Sequence, residues 1–166
     1  MKWASKIILF GFLLGVFTTS CDKKECSDPV PKMTFMQFVP SQTDSGNYLL
    51  VFEFSDCDGD MGMETSSSIR DENGELQTNN FMLDLYHIVN NQWVKHEFDS
   101  TDAGLDYKIP ILGNSNLNPS LEGEIERKLD PVFGLVGYDS VMFKARILDN
   151  AGHYSNEVET PGFIIN

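Results

Sequence analysis

The residues best equipped for chemistry lie in one short stretch, FSDCDGDMGME, from Phe54 to Glu64. Asp56, Asp58 and Asp60 occupy alternate positions, with Gly59 and Gly62 among them and Cys57 in the middle. Carboxylates at every second residue converge when a loop wraps around an ion, and Ca2+ takes six to eight oxygen ligands. Glycine permits the tight wrap, and mutual repulsion of three carboxylates calls for a cation or for full solvation. The stretch is not an EF-hand. Met61 and Ser67 stand where the sixth-position glycine and the twelfth-position glutamate would be. Further oxygens for Ca2+ would come from Glu64, Asp149 and Asn150, provided the turn carrying the last two gathers at the same end of the fold. The competing reading is a solvated acidic turn whose aspartates accept backbone amides. If Ca2+ binds, it staples the long polar connection from Asp56 to Asn80 and does not catalyse.

Little else resembles catalytic equipment. His87 and His96 fall on the two arms of an expected hairpin, where they fill sheet positions; a zinc pair is the sharper alternative. His153, the third histidine, lies in a turn. There is no Gly-x-Ser-x-Gly, no phosphate loop and no His-Glu-x-x-His. The 25 acidic residues leave a small hydrolase using a carboxylate pair as a minor reading. A small fold without a large groove argues against it, and no enzyme activity is expected. Trp93 and Tyr86, with Phe98 nearby, are the candidate aromatics for a glycan platform, although sheet packing accounts for them equally well.

The amino terminus sets the compartment. Lys2 and Lys6 precede an uncharged apolar run from Ile7 to Phe17, followed by Thr18, Thr19, Ser20 and Cys21. This is the three-part pattern of a secretory signal, and the run falls short of the ~20 residues a spanning helix needs. A small residue directly before a cysteine fits lipoprotein processing, with Cys21 receiving the lipid. Thr18 departs from the leucine usual at that place. Residues 1–20 are thus read as a lipoprotein signal peptide, 21–32 as a charged, proline-bearing lipidated tether, and 33–166 as a single domain. Loss of Lys2 and Lys6 without any acid takes the net charge from −13 to about −15, which repels nucleic acid and attracts divalent cations. The expected membrane contact is therefore the N-terminal lipid, at the bacterial outer membrane, facing either the periplasm or the surface.

With Cys21 assigned to lipid, Cys26 and Cys57 remain as an even pair in an oxidising compartment. A disulfide would close a loop of roughly 30 residues, worth ~3 kcal/mol, and would pin the aspartate loop to the tether. Two separate thiols are the alternative. Redox catalysis is not expected, because no Cys-x-x-Cys is present.

The elements that must position these groups are strands. Met33–Val39, Tyr48–Phe54, Phe81–Val89, Trp93–Phe98, Tyr107–Leu112, Leu121–Leu129, Val141–Ile147 and Asn156–Ile165 carry β patterning, and no segment sustains helical periodicity. Asn90-Asn91 is a two-residue hairpin signal. Pro110 favours an edge position for its strand. Val141, Phe143, Ala145 and Ile147 alternate with Lys144 and Arg146, the mark of a half-buried antiparallel strand. The expected fold is all-β, a single antiparallel β-sandwich of the immunoglobulin or fibronectin type III kind. The segment YDSVMFKARILDNAGHYSN, from Tyr138 to Asn156, resembles the penultimate strand and final hairpin of fibronectin type III domains, with Tyr138 placed for a tyrosine corner.

In order, these pieces resemble a family of small uncharacterised lipoproteins of the Bacteroidota. The shared pattern is a lipidated cysteine, an acidic tether, a strand running into an Asp-Gly-Asp-Gly-Asp-Ile-Gly loop, and a closing Asp-x-Ala-Gly-x-x-Ser-Asn turn. Here the loop spans Asp56 to Gly62, with Cys57 replacing the first glycine, and the turn spans Asp149 to Asn156. The resemblance implies a β-sandwich and an envelope location, and it implies no reaction. The leading expectation is a non-enzymatic envelope lipoprotein with a binding or structural sandwich; the alternative is an accessory glycan-binding lipoprotein of an outer-membrane uptake system.

Overall fold

A computed structural model describes residues 26–42, 47–99, 104–111, 120–130 and 137–165. The expected signal peptide and Cys21 lie outside the described residues. Within them the chain is all-β: ten strands, no helix, and every pairing antiparallel.

One sheet has the order β1 (Lys32–Pro40), β2 (Tyr48–Asp56), β7 (Leu121–Leu129). The other runs β10 (Phe163–Ile164), β8 (Ser140–Ile147), β5 (Phe81–Val89), β6 (Gln92–Lys95), with β9 (Val158–Glu159) also on β8. Their inner faces share one core. Leu50, Phe52, Phe54 and Ile125 meet Phe81, Leu83, Leu85, Val141, Phe143 and Ile147, all buried. Alternate positions on β2 and β8 put these apolar side chains on one face, and the two sheets pack face to face; Val51 and Met142, on the opposite faces, are buried as well. A two-stranded ladder, β3 (Ile69–Arg70) with β4 (Leu76–Gln77), stands apart and rests on a smaller cluster of Met63, Ile69 and Leu148.

Asn90 and Asn91 both hold positive φ, 49° and 65°, as the expected two-residue turn between β5 and β6 requires. Three expectations are corrected. The segment from Tyr107 forms a single bridge, Phe81 with Tyr107, rather than a strand. The buried Asn80 side chain takes both backbone groups of Ile109, at 2.6 and 3.2 Å, and Pro110 has no N–H to offer a ladder. The final strand is split into β9 and β10. Between them Thr160 bonds Phe143 through both its amide and its hydroxyl, and Pro161-Gly162 interrupts the pairing. The Asp56–Asn80 connection, polar and without strand patterning in its sequence, nonetheless contains β3 and β4 and buries Met61, Met63 and Ile69.

That connection is closed down at Gly62, whose φ is +113° and whose Cβ, if present, would lie 2.6 Å from the Pro110 carbonyl oxygen. Gly62→Ala therefore meets both a disfavoured backbone and a backbone wall. Urea unfolding is expected to show a loss of roughly 2 kcal/mol or more; an unchanged midpoint would mean the loop and the 107–111 segment do not meet in this way.

Candidate metal centre

Leu50, Phe52, Phe54 and Asp56 share the inward parity of β2. The strand thus carries its buried face one step past the last phenylalanine and places a carboxylate there. Asp56 is only 1% exposed. The chain then turns through Gly59, φ +72°, and returns so that the Met61 amide donates to Asp56 Oδ2 at 2.9 Å. The turn brings oxygens of Asp56, Asp58 and Asp60 within 4.8 Å of one another. The Oδ1 atoms of all three are enclosed and accept no hydrogen bond among the described residues.

Such an arrangement resists ionisation. Burial, followed by the hydrogen bond and charge of Asp58, pushes Asp56 up to about 7, with the Met61 amide opposing. Burial, then the charges of Asp149 and Asp58, pushes Asp60 up to about 6, against the amides of Ala151 and Asn150. A divalent cation at the convergence point would remove the repulsion and supply the missing partner to the three orphan oxygens.

The turn expected to approach the loop does so. Asn150 Nδ2 donates to the Asp60 carbonyl at 2.7 Å. Asp149 is fully buried, but its two oxygens are already engaged by the His153 amide at 2.7 Å and His153 Nδ1 at 2.9 Å. It stands beside the triad as a charge rather than among the clustered ligands. Glu64 is exposed and outside the cluster. Among the described residues, the acidic side chains close enough to share one ion are Asp56, Asp58 and Asp60. Cys57, between two of them, is bonded to Cys26 with the Cα atoms 5.4 Å apart, which ties the loop to the segment preceding β1.

The other sequence candidates have structural partners. His87 stacks on Tyr138 at 4.2 Å, and His96 Nδ1 bonds the Tyr138 hydroxyl at 2.8 Å. That hydroxyl therefore goes to a side chain on another part of the sheet, not to upstream backbone as a tyrosine corner requires. No third His, Cys, Asp or Glu joins the two histidines as a metal cluster among the described residues. Trp93, 39% exposed, lays its ring against Gly162, where a Cβ would come within 2.8 Å. The Tyr86 ring receives Lys144 at 5.5 Å.

One residue with a large structural role was missed from the sequence. Asp71 accepts the amides of Asn73 and Glu75 at 3.0 and 2.9 Å, the Gln77 amide group at 2.9 Å and the Tyr154 hydroxyl at 3.0 Å. Its hairpin sequence, Asp71-Glu72-Asn73-Gly74, carried the turn signal that could have found it.

Compared with protein-family models, curated proteins and solved structures, the chain matches none.

The titration of Asp56 and Asp60 has a definite sign. Asp56 and Asp60 hold protons in the folded state to about 7 and about 6, against the ordinary value of 3.8. Between about pH 4 and 7 the folded chain therefore binds more protons than the unfolded one, so stability falls as pH rises. His153, raised above 6.5 by Asp149, contributes below that pH and loses its contribution as pH rises further, in the same direction. Metal-free thermal melts are expected to show Tm declining across this range, and Asp58→Asn to flatten the decline. A Tm that climbs steadily from pH 4 to 7 would show that these carboxylates ionise freely.

Proposed function

We propose that this protein is a non-enzymatic lipoprotein of the bacterial cell envelope, lipidated at Cys21, whose β-sandwich is a binding or structural module stapled by Ca2+ at Asp56, Asp58 and Asp60. The observation that carries the cation is the convergence of three carboxylates within 4.8 Å, each with an enclosed Oδ1 that has no donor among the described residues, one of them buried at the end of a core strand. Hard divalent cations seek clustered carboxylate oxygen, and the ion's charge would offset a repulsion the fold otherwise retains.

The fold is read as fibronectin type III-like. The strand orders β1-β2-β7 and β6-β5-β8-β10 correspond to the A-B-E and C′-C-F-G sheets of that type, an association of architecture and not of activity. Export and lipidation rest on the sequence pattern ending at Ser20-Cys21, with the oxidised Cys26–Cys57 pair in keeping with an extracytoplasmic compartment. Membership of the Bacteroidota lipoprotein group rests on the loop and turn motifs.

Thermal melts with Ca2+ and with chelator test the staple. At a hundredfold the dissociation constant, an ion bound only by the folded state adds ~2.7 kcal/mol, which moves Tm by several degrees. Asp58→Ala is expected to raise the metal-free Tm, by relieving repulsion, while abolishing the Ca2+ response. A wild-type protein whose Tm ignores both Ca2+ and chelator would leave the loop a polar turn.

The anchor has its own test. Cells expressing the chain and fed an alkyne-tagged fatty acid are expected to yield a labelled, membrane-associated protein, and Cys21→Ser to lose both properties. Absence of label from the wild type would refute lipidation.

A further inference from the structure

A groove of about 400 Å³ lies between the β3–β4 hairpin and the outward face of β5, β6 and β8. This volume falls within the range of small-molecule sites. Its floor includes Asp84, Lys144 and Arg146; Asn73 and Glu75 stand on the hairpin side, with Asp106 also at the groove. Most of these charges are already matched. Asp84 pairs with Lys95 at 2.8 Å, and Lys144 pairs with Glu159 at 2.9 Å and Glu157 at 3.5 Å.

Arg146 is the exception. Its guanidinium lies over the Tyr154 ring, 3.9 Å from the centroid, and makes no ion pair or hydrogen bond among the described residues. Stacking leaves the N–H groups at the edge of the plane unspent. Asp106 gives one oxygen to the Leu83 amide at 2.8 Å, and its other oxygen has no hydrogen bond among the described residues. Arg146 and Asp106 are both exposed at the groove and attract one another through charge without a direct hydrogen bond, which leaves guanidinium N–H groups and a carboxylate oxygen open to a guest.

The wall is built in advance of any ligand. Asp71 fixes the hairpin through the amides of Asn73 and Glu75, and the same carboxylate fixes Tyr154, on which Arg146 rests. Such preorganisation lowers the entropic cost of binding.

The lining discriminates among ligand classes. Acidic residues outnumber basic ones around the groove, and the chain carries a net charge of −13, which disfavours anions. Arg146 and the two lysines disfavour a simple cation, and the predominantly polar lining disfavours an apolar guest. A neutral molecule dense in hydroxyls meets both needs, because each hydroxyl donates and accepts. We propose that this groove is a binding site for a short neutral carbohydrate, held chiefly by Arg146 and Asp106. It gives the binding-module reading a ligand class and a location away from Trp93, and it does not depend on the cation.

The test is a titration of the purified protein with maltose, cellobiose and lactose, followed by amide NMR and calorimetry, with glucuronate and glycylglycine as anionic and zwitterionic comparators. Chelator is present throughout, so the outcome is separate from the fate of the Ca2+ staple. At least one disaccharide is expected to bind in the millimolar range or better, with shifts confined to the hairpin, Ala145, Arg146 and Tyr154. Arg146→Lys and Asp106→Asn should each weaken it about tenfold, the loss of one charge-assisted hydrogen bond, with melts confirming that both variants fold. Trp93→Ala should leave the affinity unchanged. The proposal is overturned if none of the three sugars perturbs the groove, if the shifts centre on Trp93, or if only glucuronate or glycylglycine binds there.

Discussion

Like charge held at close range, out of water, is the constraint around which one end of this molecule is organised. Three carboxylates meet where β2 leaves the core, and one oxygen of each has no donor among the described residues. Carboxylates within 4.8 Å repel one another whenever more than one is ionised. The backbone does what it can: the amides of Met61, Asn150 and Ala151 all oppose the upward shift of the acids they face. These are partial charges set against full ones, and the acids remain raised. The loop is therefore a place where the fold retains like-charge repulsion.

That strain is confined because its surroundings are rigid. The Asp149–His153 turn is locked by its own buried carboxylate, which takes both the amide and the ring of His153. Gly152, at φ +93°, packs so closely on the Arg70 carbonyl that a Cβ would collide with it, and Glu72 donates its amide to the Gly152 carbonyl at 3.0 Å. From there Asp71 carries the order into the β3–β4 hairpin and Tyr154. The aspartate loop, the closing turn, the hairpin and the groove wall thus form one contiguous run of backbone and side-chain contacts. Contiguity is not by itself coupling, but it explains why a segment with only two short strands stays folded against the sheets.

The sequence was most readable where a period of two governs. β2, β5, β7 and β8 stand where alternation placed them, and the Asn90-Asn91 turn follows from the positive φ those residues tolerate. The triad was legible for a related reason: the same alternation that buries Phe52 and Phe54 buries Asp56. What could not be read were partners supplied by distant side chains. Asn80 satisfies Ile109 from 29 positions away and so replaces a strand pairing. The Tyr138 hydroxyl reaches His96 instead of nearby backbone. Asn156 brackets Met33 with both an acceptor and a donor, at 3.0 and 2.8 Å, holding the last segment to β1 across 123 residues. Local pattern carries no information about such pairings, because any asparagine at the right point in space would serve.

The disulfide and the aspartates act on the same few residues through different physics. Cys57 lies between Asp56 and Asp58, so its bond to Cys26 restrains the backbone of the triad from outside the loop. A cross-link restricts the unfolded chain, whereas a cation relieves charge in the folded one. Neither substitutes for the other: the covalent bond acts on the backbone beside the carboxylates and leaves their charge untouched. A bonded cysteine at position 57 leaves the loop less room to open and separate its charges than an unlinked residue there would.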